Sequence, residues 1–286
     1  MKNLSTLVKD IYAALNPLTK GEAIAITDEQ IDEFGESIKN ALRQWARPGE
    51  RNSQFNLRMS NIGRPARFLW FDRRSSSEDN TMLESTMIKF LYGHMLEEIL
   101  ILFAKLSGHT VTDEQKQVEV SGVQGHIDCK VDGEVVDIKT ASNYAYKKFS
   151  EQTLRDDDPF GYIAQLSGYE EAEGTTEGGF LVINKETGQL CLYQPGELDK
   201  INVKSKIDSL KKAIDSDEKP PLCYQPVPEG KKGNMKLHRN CTYCNFKFDC
   251  FEDANNGKGL RVFQYAKGPM YLTRVTAPPK VQEITP

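Results

Sequence analysis

Two alternating segments joined by Asp132-Gly133 constrain the fold of this chain more than any other feature. An Asp-Gly dipeptide between such segments is typical of a two-residue β-hairpin loop. If these two residues form the loop, Asp128 on the first strand faces Asp137 on the second. Lys139 then lies on the same face as Asp137, because side chains alternate between the two faces of a strand.

The two facing carboxylates of this predicted hairpin need a partner, because like charges directly opposite each other destabilise a strand pair. A divalent cation between them would remove the repulsion, and hard oxygen ligands suit Mg²⁺ or Mn²⁺. The other face of the hairpin is apolar and is expected to pack on a helix. Its residues are Ile127, Cys129, Val131, Val136 and Ile138. The alternative is an antiparallel pair with one solvated, charged face.

A third acidic residue, Glu97, lies on a long apolar segment that predicts a buried helix over residues 81–106. On a helical wheel the neighbours of Glu97 are apolar or small: Phe90, Gly93, Ile101 and Ala104. Glu98 falls on a polar strip instead. A glutamate on an apolar face is costly unless it is protonated or paired. A metal shared with the two aspartates would be such a partner, and an ion pair with a lysine or arginine is the alternative.

The order of the predicted elements indicates an α/β core with a mixed central sheet flanked by helices. Two amphipathic helices are expected within residues 1–47. The other predicted helices cover 65–72, 81–106, 160–171 and 198–214, and the predicted strands cover 110–111, 117–120, 123–131, 134–140, 179–184 and 189–193. Beyond residue 220 the composition changes to prolines, glycines and cysteines with little periodicity. We therefore predict an N-terminal helical region (1–57), a core (58–220) and a cysteine module with a tail (221–286).

Composition and charge limit the function classes. With 38% hydrophobic and 27% charged residues the chain is typical of a globular protein. Its net charge of −4 argues against electrostatic coating of nucleic acid. Two segments are nevertheless basic: Arg51–Arg74 has six arginines and one aspartate, and residues 221–286 have ten Lys/Arg against five Asp/Glu. Such a pattern favours local binding of a polyanion, and ordinary solvated surfaces are the alternative.

The apolar segments are too short to span a bilayer, and the first ten residues lack the core of a signal peptide. We therefore expect a cytoplasmic protein without membrane contact. In that reducing compartment six cysteines favour metal ligands or buried thiols over disulfides.

Four of the cysteines form a candidate metal site. Cys241, Cys244 and Cys250 have the spacing C-x2-C-x5-C, and Cys223 precedes them. Four thiolates can bind zinc or a [4Fe–4S] cluster, and such a metal would replace the core that a loop-rich segment cannot build. Free thiols are the alternative. The remaining two, Cys129 and Cys191, lie in predicted strands and are expected to be buried as small apolar side chains.

Four motifs occur in a fixed order along the chain. They are Gly93-x3-Glu97, Gly125-His126-Ile127-Asp128, Asp137-Ile138-Lys139 and Gln165-x3-Tyr169. Together they resemble the PD-(D/E)XK nuclease superfamily, within its RecB-like branch, which includes phage exonucleases and the CRISPR-adaptation iron–sulfur nucleases. The resemblance covers about residues 58–252. It implies a restriction-endonuclease-like core and a metal-dependent deoxyribonuclease.

The resemblance also implies roles for individual residues by motif position. The implied ligands of Mg²⁺ or Mn²⁺ are Glu97, Asp128, Asp137 and the carbonyl of Ile138. Lys139 would position or activate the attacking water. Gln165 and Tyr169 would orient the DNA strand near the scissile phosphate. The implied reaction is exonucleolytic hydrolysis of single- or double-stranded DNA at its ends.

The cysteine spacing resembles the C-terminal cluster motif of the iron–sulfur RecB-like nucleases. In those relatives the first ligand precedes the nuclease core, but residues 60–67 here contain no cysteine, so we assign Cys223 as its replacement. We expect a [4Fe–4S] cluster, with Zn²⁺ as the alternative. The predicted contacts with DNA phosphates are Arg64, Arg67, Lys147 and Lys148.

Two other functions stay open at this stage. One is a non-catalytic DNA-binding scaffold of the same fold, and the other is a structure-selective endonuclease. The expected setting is recombination, repair or phage DNA metabolism in a bacterial or phage-infected host cytoplasm. A homo-oligomer or a recombination partner protein is also left open.

Overall fold

The computed structural model describes residues 2–47, 55–75 and 83–285, which divide into two units. Unit 1 comprises Met1–Arg64 and Ser75–Lys211, and unit 2 comprises Pro65–Arg74 and Lys212–Pro286. The three predicted regions with boundaries at residues 57 and 220 stay a prediction. None of the described helices has the length and apolarity that crossing a bilayer requires.

The helices and strands are numbered in chain order. The helices are α1 (Leu7–Leu15), α2 (Asp28–Ala46), α3 (Ala66–Arg74), α4 (Glu84–Leu106), α5 (Asn143–Ser150), α6 (Tyr162–Glu173), α7 (Val203–Asp215), α8 (Arg239–Thr242), α9 (Lys247–Cys250) and α10 (Ala254–Gly257). The strands are β1 (Val111–Thr112), β2 (Gln117–Val120), β3 (Val123–His126), β4 (Cys129–Val131), β5 (Glu134–Ala141), β6 (Gly179–Asn184), β7 (Leu190–Tyr193), β8 (Val227–Glu229), β9 (Asn234–Lys236), β10 (Arg261–Tyr265), β11 (Gly268–Arg274) and β12 (Glu283–Ile284).

A five-stranded mixed sheet forms the centre of unit 1, with the strand order β1-β4-β5-β6-β7. Strands β5 and β6 run parallel, and every other neighbouring pair in this sheet is antiparallel. Helices α1 and α4 pack on one face of the sheet. The predicted α/β core with a mixed central sheet flanked by helices is therefore confirmed.

The apolar face of the hairpin is buried as predicted. Cys129, Val131 and Val136 are at most 1% exposed and pack against Leu100 and Ile101 of α4. Burying one such aliphatic side chain contributes about 1.5–3 kcal/mol. This packing holds β4 and β5 firmly and so fixes the backbone from which the opposite, polar face projects.

Several predicted elements differ from the observed ones. The predicted strand 123–131 is interrupted at Ile127 and Asp128, and β3 pairs with β2 in a separate two-stranded sheet. Helix α4 begins at Glu84, and the predicted start at residue 81 lies outside the described residues. The expectation that this helix is buried all round is wrong for its first half, where Phe90 and Tyr92 are exposed.

The end of unit 1 differs as well. The predicted helix 198–214 begins only at Val203, and Leu198 is fully exposed in a single 3-10 turn before it. The predicted helix 160–171 begins at Tyr162, because Gly161 adopts a left-handed conformation (φ 73°) that a helix interior does not accept.

Unit 2 contains a five-stranded antiparallel sheet with the order β12-β10-β11-β9-β8. This sheet was not predicted from the sequence, because two of its strands have three residues and one has two, too few to show an alternating pattern. The arginine-rich helix α3 also belongs to this unit, where the indole Nε1 of Trp70 donates to the carbonyl of Ser216 at 2.8 Å.

Candidate active site

Asp128 lies immediately before β4, at the interruption of the predicted strand. The register of the hairpin is the one that Asp132-Gly133 predicts, with Cys129 opposite Val136, but the ladder ends at that pair. Instead of a backbone pair between the two aspartates, the Asp128 Oδ2 accepts a hydrogen bond from the backbone N–H of Ile138 at 2.6 Å. This side-chain contact holds the Asp128 carboxylate beside β5.

The environment of Asp128 disfavours its charged form. Burial raises the pKa of Asp128 to about 7, and the negative charge of Asp137 adds to the rise. The ammonium of Lys139 and the hydrogen bond from Ile138 oppose the shift without cancelling it. The carboxylates of Asp128 and Asp137 are thus close enough to influence each other electrostatically.

Asp137 is the most deeply buried acidic residue of this site. The residue is 1% exposed in the middle of β5, and neither of its carboxylate oxygens accepts a properly oriented hydrogen bond from the described residues. The Lys139 Nζ lies 2.5 Å from Oδ2, so this oxygen has an ammonium as its ion-pair partner. Buried polar atoms without hydrogen-bond partners cost about 1–3 kcal/mol each, so an additional cation would stabilise this carboxylate.

Glu97 is the third acidic residue of the cluster. Burial raises its pKa to about 9, and the negative charges of Asp128, Glu98 and Asp137 contribute to the rise. Its Oε1 accepts a hydrogen bond from the amide of Gln115 at 2.5 Å. Among the described residues Glu97 has no ion pair with lysine or arginine, which was the alternative explanation for a glutamate on this face.

Glu98, the neighbour on the polar strip, has different surroundings. It lines a hollow between α2 and α4 together with Glu33 and Lys105. The ammonium of Lys105 lies 2.7 Å from Glu33 in that hollow. The choice of Glu97 over Glu98 as the metal ligand stays a prediction, and this difference in surroundings favours it.

Lys139 carries the positive charge of the site. Burial acts to lower its pKa, but the negative charges of Asp137 and Asp128 outweigh burial, so the pKa of Lys139 lies above its ordinary value. The ammonium also lies over the ring of Tyr162, whose centroid is 4.8 Å from Nζ. As an ammonium, Lys139 can donate hydrogen bonds and stabilise negative charge, but it cannot accept a proton.

Gln165 and Tyr169 lie one turn apart on α6 and contact each other. The Gln165 Nε2 donates to the Tyr169 Oη at 3.1 Å, and both side chains are buried. The ring of Tyr169 packs against Gly125: a Cβ at position 125 would lie 2.8 Å from Cε1 of the ring. The glycine of one motif is therefore required by the tyrosine of another.

Two residues near the acidic cluster escaped the sequence analysis. Gln115, which binds Glu97, sits in a loop with φ of 54°, and Tyr162, which faces Lys139, is the first residue of α6. No local pattern marks either residue, because each contact joins elements distant in sequence. The one local signal is the preceding Gly161, since a glycine within the predicted helix indicates that the helix begins after it.

The acidic cluster fits a divalent cation by its donor chemistry. Three carboxylates influence one another electrostatically, and among the described residues Asp137 Oδ1 has no hydrogen-bond partner while Oδ2 has only the Lys139 ammonium beside it. As placed, no three His, Cys, Asp or Glu side chains among residues 2–47, 55–75 and 83–285 surround one point closely enough to hold a metal. Metal binding through Glu97, Asp128, Asp137 and the Ile138 carbonyl therefore stays a prediction.

The four predicted phosphate contacts have different surroundings. Lys147 is exposed. The Lys148 Nζ lies 2.5 Å from Asp157 Oδ2, and the Arg64 guanidinium lies 4.7 Å from the ring centroid of Phe160. Arg67 belongs to unit 2, where its guanidinium donates to the Pro220 carbonyl at 2.7 Å and to both the carbonyl and the Sγ of Cys250 at 3.1 Å. DNA binding by these residues stays a prediction.

The four cysteines of the candidate metal site lie near one another in unit 2. Burial raises the pKa of Cys241 to about 12, and the negative charges of Cys223, Cys244 and Cys250 add to the rise. None of the six cysteines, all of which lie within the described residues, forms a disulfide. Cys129 is buried as predicted, whereas Cys191 is only half-buried. Four thiols that influence one another electrostatically suit a thiophilic metal, although no metal-binding set is formed by the side chains as they stand in the described part of the chain.

Comparisons with known proteins give only weak similarities. No family model and no curated protein matches the chain. The alkaline exonuclease LHK-Exo from Laribacter hongkongensis is 13% identical, with 56% of this chain and 87% of that chain covered and a TM-score of 0.39. The complex of LHK-Exo with dAMP is 15% identical, with 63% of this chain and 94% of that chain covered and a TM-score of 0.34. The crystal structure of SSO0001 is 15% identical, with 76% of this chain and 94% of that chain covered and a TM-score of 0.37. At such low TM-scores these similarities carry no argument about the site.

Proposed function

We propose that this chain is a metal-dependent deoxyribonuclease that hydrolyses phosphodiester bonds at DNA ends. The observation that carries the proposal is the Asp137 carboxylate, which is buried in the middle of β5; among the described residues Oδ1 has no hydrogen-bond partner, and Oδ2 has only the Lys139 ammonium beside it. Asp128 and Glu97 crowd the same region, and the Lys139 ammonium lies beside them. Such crowding is costly for folding alone and is explained by the binding of a dication.

Mg²⁺ or Mn²⁺ would be held by Glu97, Asp128, Asp137 and the carbonyl of Ile138. When bound, such an ion polarises a phosphoryl oxygen and lowers the pKa of a coordinated water. The chain itself holds the acidic side chains in place, because the apolar core behind β4 and β5 fixes the backbone of these strands. Rigid placement of the carboxylates reduces the reorganisation that the reaction requires.

Lys139 supplies positive charge where negative charge develops on the phosphate. Because its pKa is raised above the ordinary value, it acts as an ammonium that orients water or a phosphate oxygen, not as a general base. Its reach is limited by the ion pair with Asp137, so its Nζ stays beside the acidic cluster.

Gln165 and Tyr169 would orient the DNA strand. The Tyr169 oxygen accepts the hydrogen bond from Gln165, so the hydroxyl proton stays available as a donor to a phosphate oxygen. The second N–H of the Gln165 amide is available in the same way. Two neutral donors on one helix face can fix a phosphate without adding charge to the site.

The preference for DNA ends rests on the RecB-like motifs and not on the geometry of the acidic cluster. The cluster alone would serve an exonuclease and an endonuclease equally. A non-catalytic scaffold is disfavoured, because a pure binding protein gains nothing from three crowded carboxylates beside a lysine.

The test is to incubate the full chain with labelled linear DNA and with closed circular single-stranded DNA. We expect linear DNA to be degraded with Mn²⁺ or Mg²⁺ and to persist with EDTA, while circles stay intact. Asp113→Asn is a matched control, because Asp113 is part-exposed outside the cluster and its φ of 54° suits asparagine. Intact linear DNA with a folded protein would reject the proposal, and cleavage of circles would establish an endonuclease.

We also propose that Cys223, Cys241, Cys244 and Cys250 hold a [4Fe–4S] cluster, with Zn²⁺ as the alternative. The mutual electrostatic influence of the four thiols and the N–H···S contact from Arg67 support this proposal. Hydrogen bonds to ligating sulfur are a common feature of such sites. Protein purified without oxygen should be coloured and contain iron, whereas colourless protein with stoichiometric zinc would replace the iron assignment.

A further inference from the structure

A continuous stack of charged and aromatic side chains leads from the candidate active site to the surface of unit 1. The Lys139 Nζ lies 4.8 Å from the ring centroid of Tyr162. The rings of Tyr162 and Phe160 are nearly parallel, with their centroids 5.4 Å apart and an angle of 20° between the planes. The guanidinium of Arg64 lies 4.7 Å from the centroid of the half-exposed Phe160 ring.

Two glycines make this stack possible. Gly63, next to Arg64, and Gly161, between the two rings, are in direct backbone contact. A Cβ on Gly63 would lie 2.3 Å from the Gly161 Cα, and one on Gly161 would lie 2.2 Å from the Gly63 Cα. Gly161 also has φ of 73°, which other residues rarely adopt. The segments around Gly63 and Gly161 can approach this closely only because neither glycine has a side chain.

The first turn of α6 is held by one carboxylate. Asp158 Oδ1 accepts hydrogen bonds from the backbone N–H groups of Gly161 and Tyr162, at 2.9 and 3.0 Å, and Oδ2 accepts from that of Ile163 at 3.0 Å. These bonds satisfy N–H groups that a helix start leaves without partners. The hydrogen bonds to Asp158 therefore fix the backbone of Tyr162 without any contribution from its ring. A fixed backbone in turn limits the positions that the ring can take.

The Lys139 ammonium lies against the ring of Tyr162 as well as against Asp137. Lysine has a long flexible side chain, and ordering it is costly unless contacts on several sides fix it. The electron-rich face of an aromatic ring attracts an ammonium without taking its proton. The contacts with Asp137 and with the ring together hold the ammonium beside the acidic cluster.

We propose that Tyr162 is a positioning residue for Lys139, acting through its aromatic face and not its hydroxyl, with Phe160 and Arg64 holding the ring in place. The inference rests on the proposed nuclease function, because the position of Lys139 matters to catalysis only if the site cleaves DNA. It assigns a role to a residue outside the four motifs.

The kinetic test compares Tyr162→Phe, which keeps the ring, with Tyr162→Leu, which removes it. We expect Tyr162→Phe to keep kcat within about twofold and Tyr162→Leu to lower kcat about tenfold with little change in KM. In a Lys139→Met background Tyr162→Leu should have no further effect, because the side chain that it positions is gone. Tyr92→Leu, an exposed substitution on α4, should leave kcat unchanged.

The second test needs no catalysis. In protein labelled with ¹³Cε-lysine, the Lys139 resonance is assigned by its loss in Lys139→Met. The ring current should shift the Lys139 ε-protons upfield in the wild type and in Tyr162→Phe, and this shift should vanish in Tyr162→Leu. An unshifted wild-type resonance, or one that Tyr162→Leu leaves unchanged, would overturn the contact.

The two tests separate the possible failures. If wild-type protein cleaves DNA but Tyr162→Phe loses as much kcat as Tyr162→Leu, or Tyr162→Leu still lowers kcat without Lys139, the positioning role is wrong and the nuclease stands. If the ring-current shift is present but wild-type protein leaves linear DNA intact, the nuclease proposal is wrong and the catalytic purpose of the contact is overturned with it.

Discussion

The acidic cluster of unit 1 and the cysteine cluster of unit 2 both crowd groups that repel one another when deprotonated, but they are built differently. The acidic residues project from long regular elements: Glu97 from a helix of 23 residues and Asp137 from a strand of eight. Three of the four cysteines lie in or beside helices of only four residues, α8 and α9. A long element is held by many contacts, whereas a single turn is held by few.

The cores behind the two clusters differ as well. The hairpin with Asp137 is backed by α1 and α4 and by neighbouring strands, all contributing fully buried aliphatic side chains. The core near the cysteines has four buried residues, and one of them is a candidate ligand: Leu237, Cys241, Phe251 and Leu260. We infer that the acidic cluster is formed before a metal binds, whereas the order of the cysteine cluster depends on its metal.

The largest expected effect is the loss of activity in Asp137→Asn. This change removes one charge from a buried cluster but keeps the shape of the side chain. DNA cleavage should fall at least about a thousandfold, because the proposed ion loses a ligand and its charge balance. The melting temperature of the metal-free protein should change little, because the loss of the repulsion with Asp128 offsets the loss of the ion pair with Lys139.

Cleavage by Asp137→Asn is compared with that by Asp113→Asn, and DNA binding is measured by the same gel series. Binding should be unchanged or tighter in the first variant. Nuclease activity at the wild-type level in Asp137→Asn would show that the site is assigned wrongly.

The next largest effect is on the folding of unit 2. Cys244→Ala removes one proposed ligand, and structural metal sites contribute about 10 kcal/mol or more to folding. We expect loss of the bound metal and fast hydrogen exchange across 212–285, while β5 and β6 keep their protection. Cys191→Ala, a half-buried cysteine of unit 1, is the control. Equal protection of unit 2 in Cys244→Ala and wild type would contradict the contrast between the clusters.

The stability of the metal-free protein should depend on pH, because the acidic residues of the cluster repel one another when they are charged. The folded-state pKa values of Asp128 and Glu97 are raised to about 7 and about 9, so folding favours their protonated forms. The unfolded chain ionises these groups near pH 4, and the free energy of unfolding therefore falls as the pH rises from about 4 to 9, at about 1.4 kcal/mol for each unit of pKa difference. Mn²⁺ should restore stability most at the upper end of this range, where protons no longer compete.

Thermal unfolding between pH 5 and 9, with and without Mn²⁺, measures this dependence. In Asp137→Asn the fall with pH should be smaller, because one source of the raised pKa of Asp128 is gone. A wild-type profile identical to that of the variant would show that the three carboxylates are not coupled.

The smallest effect is expected for Arg67→Lys in unit 2. Lysine keeps the charge but cannot donate to both Cys250 acceptors and to Pro220 as the guanidinium does. We expect a loss of stability of about 1–2 kcal/mol and faster loss of the cluster metal, with the salt dependence of DNA binding unchanged. A reduced salt dependence would instead identify Arg67 as a phosphate contact.

The same contrast explains which features could be predicted from the sequence. The hairpin register followed from Asp132-Gly133 and the place of Glu97 on a long helix followed from the apolar segment around it, because both are local properties. The interruption at Asp128 could not be predicted, since it depends on a side-chain bond to Ile138. The stack on Lys139 was also hidden, because it depends on the close approach of Gly63 and Gly161.

In unit 2 the sequence was less informative for a physical reason. Strands β8 and β9 have three residues each, too few for a period of two to emerge. The place of helix α3 in this unit depends on contacts such as Trp70 to Ser216, which join segments far apart in the chain. Cysteine spacing was the one local signal in this region, and it indicates chemistry without indicating the fold.

Binding of Mn²⁺ to metal-free full-length protein, measured by isothermal titration calorimetry, tests most directly whether the crowded carboxylates of unit 1 form a cation site. We expect saturable Mn²⁺ binding with release of protons near pH 7 in wild type and Asp113→Asn, and its loss in Asp137→Asn. Equal Mn²⁺ binding by Asp137→Asn and wild type, or no binding by a folded wild type, would contradict the proposed metal site.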